Sequence, residues 1–225
     1  MFVPMDHAVE AILSPFYAAW KEAFRTPGAL PLTATGERHV GAEASDRKVF
    51  IDFVPGLRLP DLLAETTERL FDYLAAFSAT CIREFERASG SSRPTDLMGI
   101  SGGRERAVLR ITHYPSAFRE VVGNAHADID LLTLLPPATA RGLQILGDDG
   151  WREMDVPNDA VLVLSGEILE ILGGPPAVVH RVVSPGAERI SASFFLNARP
   201  DLLLPSGDAV ANIMKMRIEE IRAPR

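Results

Sequence analysis

The second part of the chain contains a series of short apolar segments separated by polar turns, and this pattern restricts the fold more than any other feature. After Arg104 the apolar runs are AVLRITHY, DIDLLTLL, GLQIL, AVLVLS, AVVHRVV and RISASFFL, and the segments between them include GDDG, VPND, GGPP and SPG. Short runs of this composition, bounded by turn-forming residues, are typical of β-strands. Because no helical pattern separates them, the sequence predicts a sandwich, a jelly roll or a closed barrel.

The first part of the chain predicts helices. Asp6 is expected to cap a short helix that ends at about Leu13, and Ser14 and Pro15 are expected to start a second helix with the sequence SPFYAAWKEAF. Together these two helices predict a kinked start to the chain. A single strand, KVFIDFV, is predicted in the following region, which is otherwise rich in Gly, Pro, Thr and Ala.

A long helix is predicted from about Pro60 to Ala88. Apolar residues recur along it at intervals of three or four positions, including Leu70, Leu74 and Phe77. This spacing places them on one face of the helix, and we expect that face to pack against the β core as a structural element.

These segments together predict one structural domain with a mainly β fold and flanking helices. Residues 1–103 are expected to form a helical N-terminal part that packs on the core, and residues 104–205 are expected to form the β core. A last helix is predicted within residues 206–225. A chain of 225 residues, of which 47% are apolar, is long enough to bury such a core.

The composition argues against several kinds of partner. The formal net charge is -7, and the Lys and Arg residues are scattered, so neither nucleic acid nor an anionic membrane is an expected partner. No apolar run reaches the roughly 18 residues of a membrane span, and the first residues lack the pattern of a signal peptide, which predicts a cytoplasmic protein. Cys81 is the only cysteine, so it forms no internal disulfide and is expected to pack as a small apolar residue.

A His-x-Asp pair at His126 and Asp128 precedes one of the apolar runs. On a β-strand these two side chains would share a face. His180 lies in a later apolar run, and two imidazoles with one carboxylate on neighbouring strands form the set that holds Fe(II) and leaves three positions open. The alternative is that His126 and His180 are hydrogen-bonded histidines of the core or the surface.

Arg189 and Ser191 form a second pair, because side chains two residues apart on a β-strand lie on the same face. A guanidinium beside a hydroxyl suits a carboxylate, and a buried arginine without an anionic partner would be costly. The alternative is that Arg189 is exposed on the outer face of its strand.

The residues from about Leu109 to Asp201 resemble the C-terminal core of the isopenicillin N synthase-like family of non-haem iron, 2-oxoglutarate-dependent oxygenases. The matching segments are, in order, RITHYP, HADIDLLTLLPP, GLQIL, WREMDVPNDAVLVLSGEIL, HRVVSP and RISASFFLNARPD. The fold of that family is a double-stranded β-helix of jelly-roll type, which agrees with the strand pattern. Its N-terminal part is usually longer than the one found here.

The resemblance implies Fe(II), 2-oxoglutarate and O2 as cofactors. By position, the iron ligands of the family fall on His126, Asp128 and His180. Residues for 2-oxoglutarate are implied at Tyr114, Arg189 and Ser191. The implied reaction hydroxylates or otherwise oxidises a small organic molecule, such as an amino-acid derivative or a specialised metabolite, and releases succinate and CO2.

Substrate contacts are predicted from strand parity and from nearness in sequence to the metal ligands. The candidates are Asn124, Thr133, Leu143, Val182, Phe195 and, as a possible carboxylate anchor with a solvated surface position as its alternative, Arg119. Two other functions stay open at this point. One is an iron oxidase of the same fold that uses no 2-oxoglutarate, and the other is a non-catalytic jelly-roll binding protein, against which the intact set of three metal ligands argues.

Overall fold

The computed structural model describes residues 1–5, 8–30, 42–44, 48–89, 99, 101–115 and 120–222. The helices described there are α1 (Ala8–Arg25), α2 (Asp61–Ser89), α3 (Gly103–Arg106), α4 (Glu167–Ile171) and α5 (Val210–Arg222). The strands are β1 (Phe2–Pro4), β2 (Ala42–Ala44), β3 (Val49–Phe53), β4 (Val108–Tyr114), β5 (Val121–His126), β6 (Leu132–Leu135), β7 (Leu143–Gly147), β8 (Gly150–Glu153), β9 (Ala160–Ser165), β10 (His180–Val183) and β11 (Arg189–Leu196).

The strands form two sheets. The larger has the order β1-β9-β6-β11-β4-β3-β2, and the smaller has the order β5-β10-β7-β8. Every strand pair in the described part of the chain is antiparallel. The predicted mainly β fold with flanking helices is therefore confirmed. No helix within the described ranges is both long enough and apolar enough to cross a membrane.

The larger sheet is covered by α1 and α2 on one face and lines a cavity with the other. Strand β11 shows this division, because alternate side chains of a strand point to opposite faces. The members of β11 that belong to the core shared with the helices are Ile190, Ala192, Phe194 and Leu196. The alternate members Arg189, Ser191, Ser193 and Phe195 line the cavity, which Ala192 also reaches. Aromatic edge contacts from Phe71 of α2 to Phe53 and Phe194 join the long helix to the sheet.

The long helix is confirmed with its expected face. It runs from Asp61 to Ser89, and Leu70 and Leu74 are fully buried. Phe77 and Cys81 are partly buried and pack against the same core. The strand predicted in KVFIDFV is confirmed as β3, and the last helix is confirmed as α5.

The expectation of two helices at the start of the chain is wrong. The structure has one helix, Ala8–Arg25, which contains Pro15. Proline removes one backbone hydrogen bond from a helix interior. Here Pro15 is exposed, whereas the buried face continues on both sides of it. That face consists of Val9, Leu13, Phe16 and Trp20. Packing of this continuous face explains why the helix extends through the proline; Asp6 lies outside the described residues.

Among the described residues, four strands and two helices were not predicted. They are β1, β2, β5, β8, α3 and α4, each with six residues or fewer. Strand β5, with the sequence VVGNAH, contains Gly and Asn, which are poor strand formers. Gly123 lies there because a Cβ at this position would be 3.2 Å from Cβ of Val182 on the neighbouring strand. Close approach of two strands therefore overrides local strand propensity.

Candidate metal centre

A cavity of about 300 Å³ lies between the two sheets. Strands of the larger sheet supply one wall, and strands of the smaller sheet supply the other. Six of the side chains that line it are Arg110, Tyr114, Leu143, Val182, Arg189 and Phe195. Its volume is at the lower end of the range typical of small-molecule sites.

Two histidines and one aspartate meet in this cavity. His126 is the last residue of β5 and His180 is the first of β10, and the two face each other directly in the strand register. Their ring centroids are 4.6 Å apart. Asp128 places Oδ1 3.5 Å from Nε2 of His126 and Oδ2 3.7 Å from Nε2 of His180. One donor atom from each residue lies within 4.8 Å of the other two, so one metal ion can contact all three.

Asp128 reaches the site from a different backbone position than expected. Strand β5 ends at His126, and Asp128 lies in the connection to β6, so strand parity does not explain why the two side chains meet. Backbone hydrogen bonds hold that connection against the start of α4. The nitrogen of Glu167 donates to the carbonyl oxygen of Asp128 at 2.8 Å, and the nitrogen of Gly166 donates to that of Leu131 at 3.1 Å.

Position 166 requires glycine because its backbone passes very close to Asp130. A Cβ at Gly166 would lie 2.2 Å from the carbonyl oxygen of Asp130, and also 2.2 Å from Oδ1 of that residue. Real Cβ contacts of this kind do not occur, so any larger residue would displace the connection that carries Asp128. The sequence analysis did not identify Gly166 as a residue of the site.

Both imidazoles are oriented by backbone carbonyl groups. Nδ1 of His126 lies 2.8 Å from the carbonyl oxygen of Asn124, and Nδ1 of His180 lies 3.1 Å from that of Val178. A carbonyl oxygen only accepts, so each Nδ1 carries the proton and donates it. Each Nε2 then presents its lone pair toward the centre of the site, as a metal ligand must.

The pKa values of His126, Asp128 and His180 are shifted by burial and by the charges that these residues exert on one another. Burial lowers the pKa of His126, but the hydrogen bond and the charge of Asp128 outweigh burial and raise it. Burial is the largest influence on His180 and lowers its pKa, against the opposing effect of Asp128. Burial raises the pKa of Asp128, but the two histidines and Thr133 outweigh burial and lower it. Asp128 is therefore ionised, which is the state that binds a metal.

Thr133 lies behind Asp128 and does not line the cavity. Its Oγ1 donates to Oδ2 of Asp128 at 2.6 Å and lies 2.9 Å from Oδ2 of Asp130. Asp130 is buried, and its Oδ1 has no hydrogen-bond partner within the described ranges. Burial and the nearby charge of Asp128 raise the pKa of Asp130 well above its ordinary value. Thr133 thus fixes the orientation of a candidate metal ligand, and its predicted contact with substrate stays a prediction.

Arg189, Ser191 and Tyr114 form a second group at the wall of the cavity. Arg189 and Tyr114 are directly opposite each other on β11 and β4, and the guanidinium carbon lies 5.2 Å from the tyrosine ring. Arg189 and Ser191 are both buried, so the alternative of an exposed arginine on the outer face does not hold. Nε of Arg189 donates to the carbonyl oxygen of Ala140 at 3.1 Å.

One donor of Arg189 is left for a ligand. Its Nη1 is buried and has no hydrogen-bond partner, and no described carboxylate lies within ion-pair distance. An uncompensated guanidinium inside a protein is costly. Burial lowers the pKa of Arg189, against the opposing effect of Tyr114 and Tyr17. The arrangement fits an anionic ligand that enters the cavity and pairs with Arg189.

The predicted substrate contacts divide into three groups. Leu143, Val182 and Phe195 line the cavity. Asn124 and Thr133 do not, although the carbonyl of Asn124 and the hydroxyl of Thr133 orient candidate metal ligands. Arg119 lies outside the described residues. The role of each of these residues in substrate binding stays a prediction.

The sequence analysis missed several cavity residues on β3 and β4. Phe50, Arg110 and Thr112 line the cavity. The signal that would have found Arg110 and Thr112 is strand parity, because they alternate with the buried core residues of β4 and share a face with Tyr114. Nε and Nη2 of Arg110 donate to the two carboxylate oxygens of Asp52, which is 3% exposed.

Comparison with known proteins gives a consistent result. Residues 105–198 match the model of the 2OG-Fe(II) oxygenase superfamily. A relative from Oryza sativa subsp. japonica, 2-oxoglutarate-dependent dioxygenase 11, is 37% identical over 124 residues, which are 52% of this chain and 34% of the relative. Jasmonate-induced oxygenase 4 from Arabidopsis thaliana is 28% identical over 231 residues, which are 89% of this chain and 65% of the relative. The chain therefore spans from a third to two thirds of the length of these relatives.

Solved structures with the same fold include Neurospora crassa T7H in complex with alpha-KG. That structure superposes with a TM-score of 0.78 and 19% identity, and it covers 98% of this chain and 86% of the other. The likeness confirms the predicted jelly-roll fold. The matched segment also contains both histidines and the aspartate of the candidate metal centre. Residues 105–198 of this chain are thus similar to the 2OG-Fe(II) oxygenase superfamily, and the relatives and the solved structure support that family.

Proposed function

We propose that this protein is a non-haem Fe(II)- and 2-oxoglutarate-dependent dioxygenase that hydroxylates or otherwise oxidises a small organic molecule. The observation that carries the proposal is that Nη1 of Arg189 is buried without a hydrogen-bond partner among the described residues. Arg189 lines the same cavity as His126, Asp128 and His180. A dicarboxylate that chelates a metal at one end needs a cationic group of this kind for its other end.

The donor set fits Fe(II). Two imidazole nitrogens and one carboxylate oxygen are the ligands of the facial arrangement that non-haem iron oxygenases use, and they leave three positions open. His126, Asp128 and His180 would hold the metal, while Asn124 and Val178 keep the imidazole tautomers fixed through their carbonyl groups. When bound, Fe(II) with 2-oxoglutarate and O2 supplies the oxidising power for attack on a C–H bond, with release of succinate and CO2.

The chain's own residues would bind and orient the reactants. Arg189 and Ser191 would bind the far carboxylate of 2-oxoglutarate, with Tyr114 beside them. Leu143, Val182 and Phe195 give the cavity apolar walls, which would exclude water and contact the apolar body of a substrate. The crystal of T7H with alpha-KG is consistent with this assignment of the cosubstrate. The cytoplasmic location and the lack of a nucleic-acid partner stay predictions from composition.

An iron oxidase that uses no 2-oxoglutarate is the second candidate. The same feature of Arg189 favours it, because a substrate carboxylate could pair with the free guanidinium donor in place of 2-oxoglutarate. The two candidates differ in the ligand that Arg189 binds and in whether succinate forms.

The first experiment is an anaerobic titration of the Fe(II)-loaded protein with 2-oxoglutarate, followed by its visible charge-transfer band. We expect the band in the wild type and at least an approximately tenfold weaker 2-oxoglutarate affinity in Arg189→Gln, with Fe(II) still bound. Arg181→Gln is the matched control, because Arg181 lies on β10 of the smaller sheet, where it donates to Gln144 and stacks on Trp151. Succinate formation with candidate substrates then tests turnover. If the wild type consumes O2 but shows no charge-transfer band with 2-oxoglutarate, the second candidate, an iron oxidase that uses no 2-oxoglutarate, replaces the proposal.

A further inference from the structure

The connection between β6 and β7, residues 136–142, passes beside Arg189. It contains no helix or strand, and residues 136–141 line the cavity. Nε of Arg189 donates to the carbonyl oxygen of Ala140 at 3.1 Å. Because a guanidinium is planar and rigid, this bond helps to set the direction of its other donors, among them the buried Nη1. The position of the 136–142 connection therefore affects how Arg189 meets a ligand.

Helix α1 holds this connection from outside the cavity. The hydroxyl of Tyr17 donates to the carbonyl oxygen of Pro137 at 2.7 Å, whereas Tyr17 is not among the residues that line the cavity. Burial raises the pKa of Tyr17, against the opposing charge of Arg189, so the hydroxyl keeps its proton and can donate it. Pro137 is buried and has no backbone N–H, so its carbonyl is the backbone group through which it can be bound. A buried carbonyl that loses its donor is destabilising, and we expect the connection to shift in response.

The packing of α1 keeps Tyr17 in place. Its ring centroid lies 5.1 Å from that of Phe16 in an edge contact, and Phe16 is fully buried in the core. Lys21 is four residues after Tyr17, and side chains at this spacing lie on the same face of a helix. Nζ of Lys21 lies 3.4 Å from Oε2 of Glu188, the residue that precedes β11. One face of α1 therefore contacts both the connection and the start of the strand that carries Arg189.

Strand β11 also holds the connection. The backbone nitrogen of Thr139 donates to the carbonyl oxygen of Ile190 at 3.0 Å, and the nitrogen of Ile190 donates to Oγ1 of Thr139 at 2.8 Å. Ala140 thus follows one bound residue directly and lies three residues after Pro137, which α1 binds. The carbonyl that orients Arg189 depends on both of these attachments.

We propose that Tyr17 is a positioning residue for the cosubstrate: by holding the 136–142 connection, it keeps Arg189 oriented for the far carboxylate of a 2-oxo dicarboxylate. This inference rests on the proposed function and adds to the site a residue of α1, a helix that otherwise packs on the core. Tyr17 would contact neither the ligand nor the metal, because it acts through Ala140 and Arg189. Its loss should therefore lower the preference for a dicarboxylate and leave metal binding unchanged.

The test repeats the anaerobic titration of Fe(II)-loaded protein with 2-oxoglutarate and with 2-oxopentanoate, which has a methyl group in place of the far carboxylate. Both acids keep the 2-oxo carboxylate end that chelates iron, so the same charge-transfer band reports both. Tyr17→Phe removes the hydroxyl and keeps the ring that packs on Phe16. We expect it to bind 2-oxoglutarate about three- to tenfold more weakly than the wild type does, and to bind Fe(II) and 2-oxopentanoate within about twofold of the wild type.

Two further variants separate positioning from a general effect on the fold. In the Arg189→Gln background, adding Tyr17→Phe should weaken 2-oxoglutarate binding by less than about twofold, because the effect passes through Arg189. Tyr73→Phe is the matched control and should bind both acids as the wild type does, because Tyr73 is a partly buried tyrosine of α2 that stacks on Phe77 and does not line the cavity.

The outcomes distinguish this inference from the proposed function. Unchanged 2-oxoglutarate affinity in Tyr17→Phe would overturn the inference alone. So would an equal weakening for 2-oxopentanoate, or an undiminished weakening in the Arg189→Gln background, because each places the effect outside Arg189. If the wild type shows no band with 2-oxoglutarate, the proposed cosubstrate is wrong, and the role of Tyr17 fails with it.

Discussion

At the scale of single residues, the candidate metal centre includes groups that contact the candidate ligands and would not contact the metal. Thr133 is the clearest of these, because its hydroxyl lies 2.6 Å from Oδ2 of Asp128 and thereby fixes the carboxylate. Its role could not be predicted from the sequence, since the connection between β5 and β6 follows neither strand nor helix periodicity. Strand parity did identify Arg189 and Ser191, because β11 is regular over eight residues. The same rule applied to β4 would have identified Arg110.

Replacing Thr133 tests this support of the carboxylate. Thr133→Val removes the hydroxyl but keeps the shape, so we expect Co(II) affinity to fall by about 10- to 100-fold, as for other residues that orient metal ligands. Thr133→Ser keeps the hydroxyl and should restore most of the affinity and the visible Co(II) spectrum. Thr67→Val is the control, because Thr67 is fully buried and accepts a hydrogen bond from Trp20 away from the site. Equal Co(II) affinity in Thr133→Val and the wild type would contradict this role.

At the scale of elements, the site is assembled where strands end. His126 is the last residue of β5 and His180 is the first residue of β10, so both imidazoles lie where paired strands of the smaller sheet end. The long helix α2 could be predicted because its apolar spacing persists over many turns, whereas α4 has only five residues and too little length for a periodic signal. Yet α4 matters for function, since its first residues anchor the connection that carries Asp128.

Gly166→Ala tests that anchoring. The new Cβ would meet the backbone of Asp130 at 2.2 Å, which forces the connection and α4 apart. We expect the free energy of unfolding to fall by about 1–3 kcal/mol in denaturant titrations, as for other overpacked sites. Metal affinity should fall by at least about tenfold, because Asp128 moves with the connection.

Gly147→Ala gives the comparison for this variant. The nearest atom to a Cβ at Gly147 is the carbonyl oxygen of Gly150 at 3.9 Å, which is an ordinary contact. This variant should keep both its stability and its metal affinity. If Gly166→Ala behaves in the same way, the close approach of α4 does not position Asp128.

At the scale of the whole molecule, two sheets enclose a cavity, and helices α1 and α2 cover the outer face of the larger sheet. Neighbouring side chains of β11 point to opposite faces of the larger sheet, with Phe194 in the helix-covered core and Phe195 in the cavity. This architecture followed from the spacing of apolar runs, because alternation and turn residues are local signals. The meeting of His126 with His180 depends on the pairing of strands distant in sequence. The strand pattern therefore offered it as one of two alternatives, and the resemblance to a known family favoured it.

The central claim is that His126, Asp128 and His180 bind one iron ion per chain, and anaerobic equilibrium dialysis with Fe(II) tests it most directly. We expect one Fe(II) per wild-type chain and almost none in the double variant His126→Ala, His180→Ala, whose far-UV circular dichroism should match the wild type. His113→Ala should keep its iron, because His113 stacks on Phe24 and contacts Glu188 outside the site. A folded double variant that still binds one Fe(II) per chain would contradict the claim.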